Sequence, residues 1–93
     1  MTKNELVKAI CQETGIDPKS ALAVVESLME TIKEALSNED NVYLRGFGSF
    51  VRKKRQAKTA RNIGKNTTII IPEHYIPSFK PCKEFVKRVS DVE

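Results

Sequence analysis

Eight basic residues and no acidic residue lie between Asn41 and Pro72 of this 93-residue chain. They are Arg45, Arg52, Lys53, Lys54, Arg55, Lys58, Arg61 and Lys65. The rest of the chain holds the other basic residues and all 12 acidic residues, so the formal net charge of +4 hides a basic segment on a mildly acidic body. Lysine and arginine both suit phosphate oxygens. The segment predicts a surface for a polyanion, and nucleic acids are the polyanions this chemistry favours.

Enzyme chemistry finds little support in the sequence. The only histidine, His74, stands between Glu73 and Tyr75, with no nucleophile motif, phosphate-binding loop or zinc motif elsewhere in the chain. Glu39 and Asp40 are interpreted as solvated loop residues at a helix end rather than as a catalytic pair. We therefore expect no enzyme, no metal and no cofactor, and we interpret His74 as a surface or interface residue.

The cysteines and the hydropathy pattern indicate a cytoplasmic protein. Cys11 and Cys82 are far apart and match no metal-ligand spacing, so both are predicted to remain reduced thiols. No stretch approaches the roughly 18 consecutive apolar residues of a membrane span, and the N-terminus lacks the apolar core of a signal peptide. No membrane partner is expected.

Two helices should open the chain. Thr2 followed by Glu5 predicts a capping box, and the helix should end at Gly15. Asp17 and Pro18 are typical of the start of a second helix. Its apolar stripe contains Leu22, Val25, Met29, Ile32 and Leu36. A stripe this wide is best covered by a second copy of the chain, although an ordinary intramolecular core remains an alternative.

The remaining elements are predicted to be mainly strands. Residues 42–44 should form a short strand that ends in a tight glycine turn. Residues 49–60 are predicted to form one long strand, with the reversal at 61–66 and the returning strand at 67–71. Pro81 is predicted to open a short C-terminal helix.

The basic segment must project from the body, because residues 52–61 are nearly all polar and cannot bury a face against a core. Side chains alternate along a strand, so Lys53 and Arg55 should point to one side and Arg52 and Lys54 to the other. Both sides of the ribbon are predicted to meet phosphates.

Ile63 lies at the predicted tip of this ribbon, where no core is available to cover it. An exposed hydrophobic residue is common in proteins and needs no functional explanation. The functional alternative is an apolar wedge that enters between base pairs from the minor groove, with Arg61 and Lys65 on nearby phosphates. Composition leaves both interpretations open.

Several of these segments together resemble the bacterial HU/IHF family of DNA-bending proteins. They are residues 45–50 (RGFGSF), the basic strand with Lys53, Arg55 and Lys58, the Arg61-Asn62 pair, and residues 76–80 (IPSFK). The resemblance extends over essentially the whole chain. It implies an α+β fold: an intertwined dimer with a helical body, a small antiparallel sheet and a protruding two-stranded β-ribbon arm. Residues 1–93 would form one domain, with the body at 1–40 and 81–93 and the sheet and arm at 41–80.

The resemblance also implies roles for individual residues. Phe47, Phe50 and Phe79 match aromatic core positions. The DNA-contacting set predicted from the charge pattern and the resemblance is Lys3, Arg45, Arg52, Lys53, Lys54, Arg55, Lys58, Arg61, Asn62, Ile63, Lys65, Lys80 and Lys83. Ile63 stands where the family usually has an intercalating proline. Isoleucine keeps the apolar bulk that a wedge needs but lacks proline's fixed φ.

The implied function is an architectural one. Such a protein binds duplex DNA in the minor groove with little sequence specificity, bends or wraps it and compacts the nucleoid, and bent, nicked or gapped DNA is expected to bind best. The partner subunit would be a second HU-like chain, most simply an identical one. Two alternatives stay open: a sequence-preferring regulator of the IHF type, and a module that binds RNA or an acidic protein.

Overall fold

The computed structural model describes residues 1–62, 64 and 67–90. Its elements are α1 (Lys3–Thr14), α2 (Pro18–Ser37), β1 (Val42–Leu44), β2 (Gly48–Arg55), β3 (Lys58–Asn62), β4 (Thr67–Ile71), β5 (His74–Pro81) and α3 (Lys83–Ser90). Strands β1, β2 and β5 form an antiparallel sheet in the order β1-β2-β5, and β3 pairs with β4 in a separate antiparallel ribbon. The predicted α+β class is confirmed.

Local capping signals place the first two helices where the sequence predicted them. The Thr2 N–H donates to the Glu5 carboxylate at 2.9 Å, and the Glu5 N–H donates to the Thr2 hydroxyl at 3.2 Å. Gly15 ends α1 with φ 78. Asp17 caps α2, and its hydrogen bonding to Ser20 lowers the pKa of the Asp17 carboxyl below its ordinary value. Within the described residues, no helix is long and apolar enough to cross a membrane.

Two apolar clusters hold the described chain together. Val7, Ala21 and Val25 are buried where α1 meets α2. Four phenylalanine rings form the second cluster, between the turn after β1, the three-stranded sheet and α3. They are Phe47, Phe50, Phe79 and Phe85, with neighbouring ring centroids 4.9 to 6.5 Å apart. This spacing is that of favourable aromatic pairs, so the rings join the sheet to α3.

A single copy of the chain leaves much of its apolar surface uncovered. It exposes 8077 Å², whereas a compact monomer of 10.5 kDa exposes about 5400 Å². Its radius of gyration is 18.7 Å, against about 12 Å for a compact chain of this length. On α2, Val24, Leu28 and Met29 are 64%, 51% and 41% exposed. The two small clusters are therefore an incomplete core.

The long strand predicted for residues 49–60 is wrong, because the pairing is interrupted. β2 ends at Arg55, which pairs with His74, and β3 begins at Lys58, which pairs with Ile71. Pro72 lies between these pairs on the returning side. Since proline has no N–H to donate to a ladder, the pairing breaks there, and the arm consists of two ribbons joined at residues 56–57 and 72–73.

The boundaries near the tip and at the C-terminal helix also differ from the prediction. Arg61 and Asn62 belong to β3 rather than to the reversal, and pair with Thr68 and Thr67. The predicted tip residues 63, 65 and 66 lie outside the described residues.

Pro81 does not open the C-terminal helix. It is the last residue of β5 and pairs with Gly48. The Cys82 carbonyl accepts the Val86 N–H at 3.0 Å, so the first turn of α3 follows Cys82. A strand end tolerates proline's missing N–H as readily as a helix start does, so Pro81 fits either position and its sequence context does not distinguish them. The predicted second body segment therefore begins two residues too early.

The strands of the sheet approach most closely at Gly48. A Cβ atom there would lie 2.5 Å from the Lys80 carbonyl oxygen and 2.8 Å from two atoms of the Phe79 ring. The backbone on one side and the aromatic cluster on the other leave no room for it. We expect Gly48→Ala to lower the free energy of unfolding by about 1 to 3 kcal/mol, measured by denaturant titration at fixed protein concentration. Ser49→Ala is the control, and equal stability of the two variants would contradict this packing.

Candidate nucleic-acid interface

Strand β2 divides its basic residues between two faces. Alternation places Arg52 and Lys54 on one face and Lys53 and Arg55 on the other, as the sequence predicted. The two faces differ in their surroundings, which the sequence did not show.

The face with Arg52 and Lys54, here the paired face, is already engaged with acidic and aromatic side chains. The Arg52 guanidinium lies 3.3 Å from the Glu39 carboxylate and 4.2 Å from the centroid of the Tyr75 ring. The Lys54 ammonium lies 3.2 Å from the Glu73 carboxylate. Both acids flank the acid-free segment in sequence, and the fold brings them to its base. Arg52 and Lys54 therefore use their charges in contacts at the base of the arm.

The opposite face, here the open face, carries Lys53 and Arg55 from β2. The register pairs Arg55 with His74 and Ser49 with Lys80, and residues that pair across strands project to the same side. Lys80 therefore lies at the body end of this face and His74 at the arm end. In the part of the chain that the structure describes, Lys53, Arg55 and Lys80 make no ion pair.

The basic row continues past the break in the arm. Lys58 begins β3 and borders the same concavity as Arg55. Arg61 and Asn62 lie at the far end of β3. Ile63 and Lys65, the two remaining predicted arm contacts, lie outside the described residues, so their roles stay predictions.

The predicted body contacts do not form one cluster. Arg45, in the turn after β1, borders a shallow depression together with Lys80. Lys83 is the first residue of α3, and its side chain is exposed. Lys3, by contrast, lies on α1 with its ammonium 2.8 Å from the Glu26 carboxylate of α2. The structure thus joins Arg45 and Lys80 at the sheet and places Lys3 in a helix-to-helix ion pair.

The open face has the dimensions and charge of a phosphate-binding surface. From the level of Lys80 to that of Arg55 is about 20 Å along β2 at the usual strand rise. Duplex DNA carries one negative charge per about 1.7 Å of its axis, so several phosphates could face this row. Cations without acidic partners lose little by exchanging water for phosphate oxygens. The arrangement can therefore neutralise a nucleic-acid backbone.

Comparisons with known sequences show the family to which the chain belongs. A family model described as bacterial DNA-binding protein matches residues 1–90. The chain is 39% identical to DNA-binding protein HU of Thermus thermophilus over 96% of this chain and 92% of that protein. It is 36% identical to integration host factor subunit beta of Marinobacter nauticus over 98% of this chain and 94% of that protein.

Comparison with solved structures points to the same family. The chain matches the HU protein of the Anabaena HU-DNA cocrystal structure with a TM-score of 0.93 and 40% identity, over 97% of this chain and 98% of that one. The resemblance found in the glycine-phenylalanine turn and the basic strand is therefore confirmed. With a family match from Met1 into α3 and a shared fold, this chain belongs to the HU/IHF family of bacterial DNA-binding proteins.

Proposed function

We propose that the chain is an architectural protein that binds duplex DNA in the minor groove with little sequence preference, bends it and compacts the nucleoid. The observation that carries the proposal is the open face, where Lys53, Arg55 and Lys80 align without acidic partners within the described chain. A related HU protein has been crystallised with DNA, and its fold matches this one over nearly the whole chain.

The active species is proposed to be a dimer of identical chains. The exposed area of 8077 Å² exceeds that of a compact monomer by about 2600 Å² per chain, or about 5200 Å² for two chains, which is large enough for the interface of an obligate dimer. The exposed apolar side chains of α2 and the rings of Phe47 and Phe79, 43% and 37% exposed, supply a surface for the second copy. A dimer would carry two arms and two open faces.

Phosphate neutralisation would supply most of the binding free energy, through release of condensed counterions. Bending a duplex costs several kcal/mol, on the order of 1 to 6 for a site of 20 to 30 base pairs, and the contacts that a curved path allows along both arms offset it. Nicked or gapped DNA has already lost part of its stiffness. Such DNA is therefore expected to bind more tightly than intact duplex.

Bending of a duplex labelled at both ends, followed by energy transfer, tests this function. Wild-type protein should raise the transfer efficiency, and Ile63→Ala should reduce that rise more than it reduces affinity, because a wedge unstacks base pairs while the cations hold phosphates. Ile63→Leu, which keeps the apolar bulk, is the matched control. Binding without any change in end-to-end distance would contradict an architectural role. Unchanged bending by Ile63→Ala would contradict only the wedge role of Ile63 and would leave the architectural role in place.

A sequence-preferring regulator is the second candidate, supported by the 36% identity to integration host factor subunit beta of Marinobacter nauticus. Competition between a random pool and DNA selected by the protein separates the two functions. We expect the selected pool to gain little affinity. A large gain would favour a regulator that reads sequence-dependent deformability, and preferential binding of RNA in a parallel titration would favour an RNA-binding module.

A further inference from the structure

A basic concavity lies at the break between the two ribbons of the arm. Arg55, Lys58 and His74 border it, together with Lys54 and the side chains of Ile71 and Ile76. His74 is the first residue of β5 and lies directly opposite Arg55. The concavity therefore brings a titratable ring into the row of cations that faces phosphate.

One nitrogen of the His74 ring is already committed. Nδ1 lies 2.9 Å from the Pro72 carbonyl oxygen, and a carbonyl only accepts hydrogen bonds, so Nδ1 carries the proton. In the neutral ring Nε2 is then an acceptor, which repels a phosphate oxygen. Only the protonated ring can keep the bond to Pro72 and also donate from Nε2 to a phosphate.

Basic side chains surround His74 in this concavity. Arg55 faces it across the strand pair, Lys58 lies across the break, and like charges at opposed strand positions repel. Lys54 also borders the concavity. The nearest acid in sequence, Glu73, has its carboxylate 3.2 Å from the Lys54 ammonium and balances that charge. An arriving phosphate would supply the negative charge that this group of cations lacks.

We propose that this concavity is a proton-linked site for one phosphodiester of the DNA backbone, in which the phosphate binds Arg55, Lys58 and the His74 Nε2 while His74 takes up a proton. The proposal rests on the DNA binding proposed above and adds a residue and a regulation to it. Because histidine ordinarily titrates near pH 6.5, the link makes DNA affinity rise as the pH falls toward 6.

Duplex affinity measured over a range of salt at about pH 7.5 and about pH 6 tests the site. Wild-type affinity should rise roughly fivefold per arm at the lower pH. The slope of log K against log[salt] should steepen by about 0.9 per arm, because one more cation meets a phosphate. His74 is the only histidine in the chain, so few other groups can produce this response.

Two variants identify the group responsible. His74→Asn keeps a donor for the Pro72 carbonyl but carries no charge, and should bind at both pH values as wild type does at pH 7.5. His74→Lys carries a permanent charge, and should bind at both pH values with the steeper slope of wild type at pH 6. A pH response that survives in His74→Asn would assign the proton to another group and overturn the inference.

The same titrations separate this inference from the proposed function. Wild-type binding with a steep salt slope that is the same at both pH values would overturn the proton-linked site and leave the DNA-binding function in place. If log K did not change with log[salt] at either pH, phosphate binding by the open face would be contradicted. The proton-linked site would then be contradicted as well.

Discussion

Replacing Lys53 and Arg55 together by glutamine should weaken duplex binding by roughly three to four orders of magnitude at about 0.1 M salt. Both chains of the proposed dimer carry the change, so four phosphate contacts are lost, and each lost contact removes about 0.9 from the slope of log K against log[salt]. Both residues lie on the open face and make no ion pair in the described part of the chain. Affinity by fluorescence anisotropy over a range of salt measures both the loss and the reduced slope.

The matched control replaces Arg52 and Lys54 by glutamine. This variant changes the net charge by the same amount on the same strand, but on the paired face. Its loss of affinity should be much smaller, because Glu39 and Glu73 already balance these charges, at 3.3 Å and 3.2 Å. Equal losses from the two double variants would show that total charge, and not the open face, governs binding.

The second large effect concerns the proposed dimer. Met29, 41% exposed in one copy of the chain, lies in the apolar stripe of α2. Met29→Glu preserves helix propensity but places a carboxylate against the second copy, and an unpaired buried charge costs several kcal/mol. We expect this variant to sediment as a monomer at micromolar concentration and to lose much of its helical circular dichroism.

Glu30→Gln is the control for that experiment. The Glu30 side chain is 73% exposed, and its carboxylate lies 3.8 Å from the Lys33 ammonium, a long contact. Its replacement should leave both the sedimentation and the helicity unchanged. A Met29→Glu chain that still sediments as a dimer would place the dimer contact elsewhere.

Sequence signals were sufficient where structure is decided locally. Thr2 with Glu5, Gly15, and Asp17 with Pro18 each act within one helical turn. Both helices begin, and the first one ends, where these signals predicted. The short strand at Val42–Leu44 and the returning strand at Thr67–Ile71 follow in the same way from nearby turn residues. Family resemblance then supplied the architecture that local signals leave open.

The failures occurred where distant residues decide the outcome. The break after Arg55 follows from Pro72, whose effect depends on the register between two strands. The paired face follows from Glu39, which lies just after the end of α2 with φ 61 and reaches Arg52 only in the folded chain. Alternation along β2 divided its cations between two faces correctly, but it could not show which face the acids occupy.

The same limit applied to His74. In the sequence it has no catalytic or metal-binding partners, and the sequence predicts a surface or interface role for it. Its place opposite Arg55 and its bond to the Pro72 carbonyl appear only in the folded chain. The DNA-contacting roles of the predicted residues stay predictions. The role of Ile63 most needs an experimental test, because Ile63 lies outside the described residues.

Phosphate binding by the open face is tested most directly by the salt dependence of wild-type affinity for an intact duplex of about 30 base pairs. Lys53, Arg55, Lys58 and Lys80 of each chain, acting in a dimer, should give a straight plot of log K against log[salt]. Its slope should lie near −7, at about −0.9 for each of eight phosphate contacts. A slope near zero would mean that the open face does not grip phosphates, and would contradict the proposed DNA-binding mechanism.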